Sequence, residues 1–150
     1  GGGLNIEAST DITIMNSIIA DNRLSNGIKS DCDGEDDSAR IDVMLFSVLD
    51  DPNGRFCLPK FSYFNQIGGE VTVTISFGPI NTGANPRLPL AFNSPAIDVG
   101  DPNGCRTQAG DILTKDQVGT TRPIGGRCDL GAVEFNGPPP MKIFLPSIRR

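Results

Sequence analysis

The chain has 150 residues, of which 37% are hydrophobic, with 18 glycines and 12 prolines, a composition that favours one domain of short elements joined by turns over long helices. Its 13 basic and 18 acidic side chains give a formal net charge of −5, without a basic stripe, which argues against nucleic-acid binding. No apolar run approaches the roughly 20 residues that cross a bilayer, so no membrane span is expected.

The first third of the chain repeats a short pattern of alternating apolar residues and turn residues. Leu4 and Ile6 alternate after three glycines, and Ile12 and Ile14 alternate before an Asn–Ser pair. Ile28 again follows a glycine, and its distance from Leu4 along the chain suggests a period in the twenties. Such a period, with two short strands per repeat, predicts a coiled parallel sheet. The residues expected to stack between coils or to form their corners are Asn16 and Asn22.

An acidic run at residues 31–37 is a candidate calcium site, and no other cofactor is predicted. Calcium takes six to eight oxygen ligands, several of them from carboxylates. The spacing does not match an EF-hand loop, so a solvated acidic loop is the alternative interpretation. The candidate calcium ligands are Asp31, Asp33, Glu35, Asp36 and Asp37.

The middle of the chain contains one ambiguous segment and one clear strand pattern. Residues 40–49 fit either a helix or a strand, because their apolar side chains recur at both spacings. Residues 68–79 alternate apolar and polar side chains and predict a strand. Two segments with the same Asp-Pro-Asn-Gly core, at 50–54 and 100–104, predict turns.

The four cysteines predict two local disulfides. The chain has no C-x-x-C pair and no histidine, so a zinc site would lack the usual ligand spacing. Cys32 and Cys57 are near one another along the chain, in turn-rich sequence, and so are Cys105 and Cys128. Two such bonds would imply an oxidising compartment. Four free, buried thiols are the alternative.

Three segments near the end of the chain carry a resemblance to a known family: NSPAIDVGDPNGC (93–105), KDQVGTTRP (115–123) and CDLGAVEF (128–135). Together they resemble the closing segment of bacterial surface proteins with parallel β-helix repeats, the choice-of-anchor Q domain family, which is related in style to polymorphic outer-membrane repeat proteins. The resemblance implies an all-β fold, a right-handed parallel β-helix with few or no helices. Its last coils and a disulfide-bonded cap would occupy residues 1–135, and a proline-rich spacer and tail would occupy residues 136–150.

Five polar residues belong to the motifs that match the family. One interpretation is a carboxylate pair for acid–base cleavage of carbohydrate. The interpretation that we favour is a polar clamp, in which Arg122 binds a carboxylate such as Asp129 or Asp98 and holds the last coil closed. The five clamp residues are Asp98, Asp116, Arg122, Asp129 and Glu134.

The function predicted from these observations is non-enzymatic. Without histidine, serine- or cysteine-based hydrolysis lacks its usual general base. We expect a structural or adhesive module of a secreted or cell-surface bacterial protein, whose exposed end coil would allow stacking into an extracellular filament. The expected partners are further copies, other surface proteins or glycans. A lyase-like polysaccharide enzyme and a calcium-dependent glycan-binding module are the alternatives.

The last residues, MKIFLPSIRR (141–150), allow three interpretations. They are a disordered end, a strand that docks on the open sheet edge of another subunit, or an attachment tail. Pro146 argues against a long central strand but permits an edge strand.

Overall fold

The computed structural model describes residues 3–7, 11–34, 41–50, 59–63, 66–67 and 75–137. All regular secondary structure in these residues is β-strand, which confirms the prediction of an all-β chain. Within the same residues, no helix has the length and apolar character needed to cross a membrane.

Eight short strands form the first half of the molecule, here called the strand stack. They pair in parallel in three sheets, with the orders β1-β4, β2-β5-β7 and β3-β6-β8. Each strand therefore lies beside the equivalent strand of the previous or next turn of the chain. The strands are β1 (Leu4–Ile6), β2 (Thr13–Met15), β3 (Ile18–Ile19), β4 (Cys32–Gly34), β5 (Val43–Leu45), β6 (Val48–Leu49), β7 (Phe61–Tyr63) and β8 (Gln66–Ile67).

The register shows which segments repeat, and residues 13–19, 43–49 and 61–67 are here called the first, second and third rows. Thr13 aligns with Val43, and Val43 aligns with Phe61, so the second spacing is much shorter than the first. The regular period expected from Leu4 to Ile28 is wrong, because Leu4 aligns with Cys32 and the loops between equivalent strands differ in length. The segment 40–49, which fitted either a helix or a strand, contains β5 and β6.

A two-residue corner separates β2 from β3 and β5 from β6. Asn16 and Phe46, in equivalent positions, have φ angles of 47° and 46°, in the left-handed region. The Ser47 hydroxyl accepts a hydrogen bond from the Ser17 backbone N–H at 3.1 Å, and it donates one to the Leu45 carbonyl at 2.8 Å. Asn16 thus lies at a corner, as predicted.

Two apolar clusters form the core. The first lies inside the strand stack and contains Ile6, Cys32, Ile41, Met44 and Leu49. The second joins the stack to residues 75–137, here called the closing segment, and contains Phe46, Val48, Ile75, Leu90, Ala96 and Leu130. Because Ile18 of the first row and the nearby Ala20 also pack on the second cluster, the closing segment lies along the flank of the stack.

The closing segment contains turns and isolated bridges and no strand. The predicted strand at 68–79 falls mostly outside the described residues. The predicted turn at 100–104 is present, since the Gly104 N–H donates to the Asp101 carbonyl at 3.1 Å. The turn at 50–54 lies outside the described residues after Asp50.

A small hairpin with the pattern basic-x-x-x-Gly-x-x occurs at three places, of which two are in the closing segment. Each is closed by one antiparallel bridge between its first and last residues. In each, the glycine has a positive φ, which a left-handed bulge after a tight turn requires. The hairpins are residues 23–29, 106–112 and 115–121.

Candidate functional site: a buried carboxylate cluster

Two acidic side chains are buried in the segment 128–135. Asp129 is 1% exposed and Glu134 is 3% exposed. The predicted disulfide between Cys105 and Cys128 is present and lies directly beside Asp129 in sequence, with 5.7 Å between its Cα atoms. Burial of ionised carboxylates is costly unless they are hydrogen-bonded or paired, so their partners define what the site can do.

Asp129 joins two parts of the closing segment. Its Oδ1 accepts a hydrogen bond from the Asp98 backbone N–H at 2.8 Å. Its Oδ2 accepts one from the backbone N–H of Phe135. Both carboxylate oxygens of Asp129 are therefore occupied by backbone donors.

Glu134 combines backbone hydrogen bonds with an ion pair. Its Oε1 accepts the Asp129 N–H at 3.1 Å, and its Oε2 accepts the Ile124 N–H at 3.0 Å. The Arg122 Nε lies 2.9 Å from Oε1, and both side chains are buried. This Nε has no well-aligned hydrogen bond, so the contact acts as an ion pair, while the Arg122 Nη2 donates to the Gly131 carbonyl at 2.5 Å.

Asp116 connects the hairpin 115–121 to the same cluster. Its Oδ2 accepts a hydrogen bond from the Glu134 backbone N–H at 3.0 Å. Its Oδ1 accepts the N–H groups of Val118 at 2.9 Å and Thr120 at 2.7 Å. One carboxylate thus shapes the hairpin and attaches it to the segment that carries Glu134.

Burial and hydrogen bonding shift the three carboxyl groups in different directions. The pKa values of Asp129 and Glu134 are both raised, mainly because the two side chains are buried. The backbone N–H donors and the Arg122 guanidinium lower these pKa values, but by less than burial raises them. Burial also raises the pKa of Asp116, but the N–H donors of Glu134, Thr120 and Val118 outweigh it, and the net shift is downward. Asp116 is therefore the member of the cluster whose ionised form the fold favours most.

The five predicted clamp residues do not all meet as expected. Arg122 pairs with Glu134, another of the five clamp residues, and not with Asp129 or Asp98, the two carboxylates that the prediction gave as examples. Asp98 contributes its backbone N–H to Asp129, while its own carboxylate lies 3.5 Å from the Arg127 N–H. Gly125 has a φ angle of 100°, which side chains rarely adopt, and a Cβ there would lie 2.6 Å from the Asp98 carboxylate and displace it.

Two residues outside the predicted set connect the closing segment to the strand stack. The Asn16 carbonyl accepts the Gly131 N–H at 2.9 Å, and its Oδ1 accepts the Asp101 N–H at 3.2 Å. Arg127 donates to the Val99 carbonyl at 3.0 Å and to the Gly100 carbonyl, and its guanidinium lies 5.8 Å from the centre of the Phe46 ring. The sequence places Asn16 at a corner, but no local signal indicates its distant partners in the closing segment.

The calcium candidates are described only in part, because Glu35, Asp36 and Asp37 lie outside the described residues. Asp31 is fully buried, and its Oδ1 accepts the backbone N–H of Asn22 at 2.7 Å and its side-chain amide at 2.9 Å. Asp33 is exposed and accepts the Gly34 N–H at 3.0 Å. Nothing described brings the two carboxylates together, and calcium binding stays a prediction.

The described residues contain one group with the spacing of metal ligands, Cys105, Cys128 and Glu134. Both sulfur atoms are consumed by the disulfide, so this group offers no thiolate ligand. Cys32 is also disulfide-bonded. Its predicted partner, Cys57, lies outside the described residues, so that pairing stays a prediction.

Comparison with known proteins adds no assignment: no protein-family model, no curated protein and no solved structure matches the chain. The resemblance to the choice-of-anchor Q family therefore stays an expectation, and the function rests on the geometry of the cluster.

Proposed function

We propose that this protein is a non-enzymatic structural or adhesive module of a secreted or cell-surface bacterial protein. The observation that carries the proposal is the complete use of the carboxylate oxygens of the cluster, whose members Asp129 and Glu134 are buried and whose member Asp116 is half-buried. Every oxygen of Asp116, Asp129 and Glu134 accepts at least one backbone N–H group. A side chain that is fully engaged in holding the backbone is a structural element.

A catalytic role for these carboxylates is less compatible with the same geometry. General acid–base catalysis requires a carboxyl group within hydrogen-bond reach of the substrate. The side chain of Glu134 is 0% exposed, and its ion pair with Arg122 is buried as well. The pKa values of Asp129 and Glu134 are raised because both groups are buried. Structural carboxyl groups can be buried as well as catalytic ones, so these raised pKa values do not favour a catalytic role.

The strand stack supports a right-handed parallel β-helix as the architecture of the module. The strands of the three rows lie in parallel register, and in the first and second rows a corner separates a three-residue strand from a two-residue strand. The apolar side chains of Ile41, Met44 and Leu49 fill the space between the sheets. A coil of this kind buries its interior only when neighbouring coils stack on it.

Location outside the cytoplasm is supported by the disulfide between Cys105 and Cys128. Such bonds persist in oxidising compartments and are rare in the cytosol. Self-association is supported by the open sheets of the described residues, in which the outermost strands at both ends pair on one side only. Such edges can pair with further strands.

The test compares the wild-type protein with Glu134→Gln for stability and for polysaccharide cleavage. The expected result is a lower melting temperature for the variant and no cleavage of neutral or acidic polysaccharides by either protein, with or without calcium. Cleavage by the wild-type protein that the substitution abolishes would overturn the proposal.

A further inference from the structure

A cavity of about 380 Å³ lies between the corner of the first row and the closing segment. One wall contains Asn16 and Ile18, and the opposite wall contains Arg106 and Arg122. The two walls are joined by a hydrogen bond, since the Asn16 carbonyl accepts the Gly131 N–H at 2.9 Å. A cavity of this volume is typical of sites that bind small organic molecules.

The charged side chains that line this cavity in the described part of the chain are both basic, although the whole chain has a net charge of −5. Arg106 is half-buried and forms no ion pair with any described residue. Its Nη1 donates to the Gly110 carbonyl at 2.8 Å, which leaves its other N–H groups for a ligand. A concave site lined by one sign of charge attracts ligands of the opposite sign.

Arg122 places a second guanidinium in the same wall. Its side chain is 6% exposed, its Nη2 donates to the Gly131 carbonyl, and its Nε lies 2.9 Å from Glu134 Oε1. Glu134 itself does not line the cavity, and no hydrogen bond among the described residues involves the Arg122 Nη1. Because a guanidinium carries several N–H donors in one plane, Arg122 can bind Glu134 on one side and a ligand carboxylate on another.

Asn16 adds an unused donor at this cavity. Its Nδ2 is buried and has no hydrogen-bond partner among the described residues, whereas its Oδ1 accepts the Asp101 N–H at 3.2 Å. A buried donor without an acceptor costs free energy, which a ligand oxygen would recover. Both arginines and Asn16 therefore offer N–H donors, and an oxygen-rich anion is the ligand that matches them.

We propose that this cavity binds a uronic acid residue of an acidic polysaccharide. The carboxylate of the sugar accepts hydrogen bonds from Arg106 and Arg122, and a hydroxyl oxygen accepts one from the Asn16 Nδ2. The apolar side chains of Ile18 and Leu113, which also line the cavity, pack against the C–H groups of the sugar ring. This inference rests on the proposed adhesive role and names the class of glycan that the module binds.

The experiment titrates the full chain by calorimetry with oligomers of galacturonic acid and of glucuronic acid. At least one of them is expected to bind, and binding is expected to weaken at high salt concentration. Neutral galactose oligomers and sodium sulfate are the control ligands, and both are expected to bind at least tenfold more weakly. Equal binding of the neutral oligomers shows that the carboxylate is not recognised, and equal binding of sulfate shows a general anion site. Either result overturns the proposal.

Variants test whether the cavity is the binding site. Arg106→Gln is expected to weaken binding about tenfold, because it removes an unpaired charge from the wall. The matched control is Arg87→Gln, which changes a half-buried arginine of the closing segment that does not line this cavity, and affinity should stay unaltered. Equal effects of the two substitutions would show that the sugar binds elsewhere.

Asn16→Asp tests the unused donor. The variant keeps an oxygen that accepts the Asp101 N–H but replaces the Nδ2 group with a negatively charged oxygen, so binding should be lost. Circular dichroism shows whether the variant is folded, and a folded variant that binds as well as the wild-type protein overturns the proposal. If the variant does not fold, the comparison of Arg106→Gln with Arg87→Gln decides.

The binding test and the test of the proposed function fail in different ways. If neither uronic acid oligomer binds, this inference is wrong, whereas the stability and cleavage comparison with Glu134→Gln is unaffected. Mass spectrometry of the oligomers after the titration is expected to find them intact, which separates binding from cleavage.

Discussion

The strand stack and the closing segment satisfy their backbone groups in different ways. In the stack, N–H groups donate to carbonyls of a neighbouring turn of the chain, as from Val48 to Ser17 at 2.8 Å and from Leu4 to Asp31 at 2.9 Å. In the closing segment, three N–H groups donate to Asp116 and two each to Asp129 and Glu134. At the cluster, acidic side chains accept hydrogen bonds of the kind that main-chain carbonyls accept along the paired strands of the stack. Elsewhere each region uses both kinds of acceptor, since the Leu130 N–H donates to the Ala96 carbonyl and the Ile12 N–H donates to Asp42 Oδ2.

This difference determines which substitutions each region tolerates. A ladder of backbone hydrogen bonds is largely independent of side-chain identity, and the first and second rows stack although their sequences differ at most positions. A carboxylate that accepts several N–H groups has no substitute of the same shape and charge. Single substitutions should therefore cost more at the carboxylate cluster than at a hydrogen-bonded corner of the stack.

The largest effect is expected for Glu134→Ala. It removes two acceptors and leaves the buried Arg122 guanidinium without its ion pair, so the free energy of unfolding should fall by about 4 kcal/mol. Urea unfolding measures this change. Asp111→Ala, which removes an exposed carboxylate of the closing segment, is the control and should have an effect below about 0.5 kcal/mol. Equal effects of the two substitutions would contradict a special role for the cluster.

A smaller loss is expected when the disulfide is removed. Cys105→Ser together with Cys128→Ser opens a loop with a sequence separation of 23, and the loss should be about 3 kcal/mol. Thermal unfolding of the two proteins without reductant measures it, because a reductant would also cleave the disulfide bond of Cys32. If the double variant is as stable as the oxidised protein, the segment does not depend on this bond.

Asp116→Asn should cost about 2 kcal/mol at neutral pH, since a charged acceptor of three N–H groups becomes a neutral one. The folded-state pKa of Asp116 is lowered, so its stabilising contribution is complete above the pKa of the unfolded chain, about 4. That contribution to stability is lost as the pH falls through the folded-state pKa of Asp116. The difference in melting temperature between the two proteins should shrink below about pH 4; a constant difference from neutral to strongly acidic pH would contradict this.

The smallest effect is expected in the strand stack. Ser47→Ala removes the hydroxyl that accepts the Ser17 N–H and donates to the Leu45 carbonyl, and the expected loss is about 1 kcal/mol. The parallel ladder around the corner stays intact, so slow hydrogen exchange of the β5 amides should persist. A loss as large as that of Glu134→Ala would show that the corner depends on its side chain as strongly as the closing segment does.

Local chemistry made part of this structure predictable. Alternating apolar residues and turn residues predicted β-structure, and the Asp-Pro-Asn-Gly turn at 100–104 forms as expected. The repeated hairpin with a basic first residue and a glycine at the fifth position was not predicted, although its pattern is visible in the sequence. The repeat length was misjudged, because the stretch of chain from Thr13 to its partner Val43 is much longer than the stretch from Val43 to Phe61.

By itself the sequence determined the β-character, the turn at 100–104 and the pairing of Cys105 with Cys128, because each depends on residues that are close along the chain. Only the tertiary structure decided that Arg122 pairs with Glu134 and that Asn16 holds the closing segment to the flank of the stack. Several acidic side chains could have paired with Arg122, and their separation in sequence does not rank them. Which carboxylate lies beside Arg122 depends on how distant segments pack. Packing decides which backbone N–H groups lack a carbonyl partner and donate to a carboxylate instead.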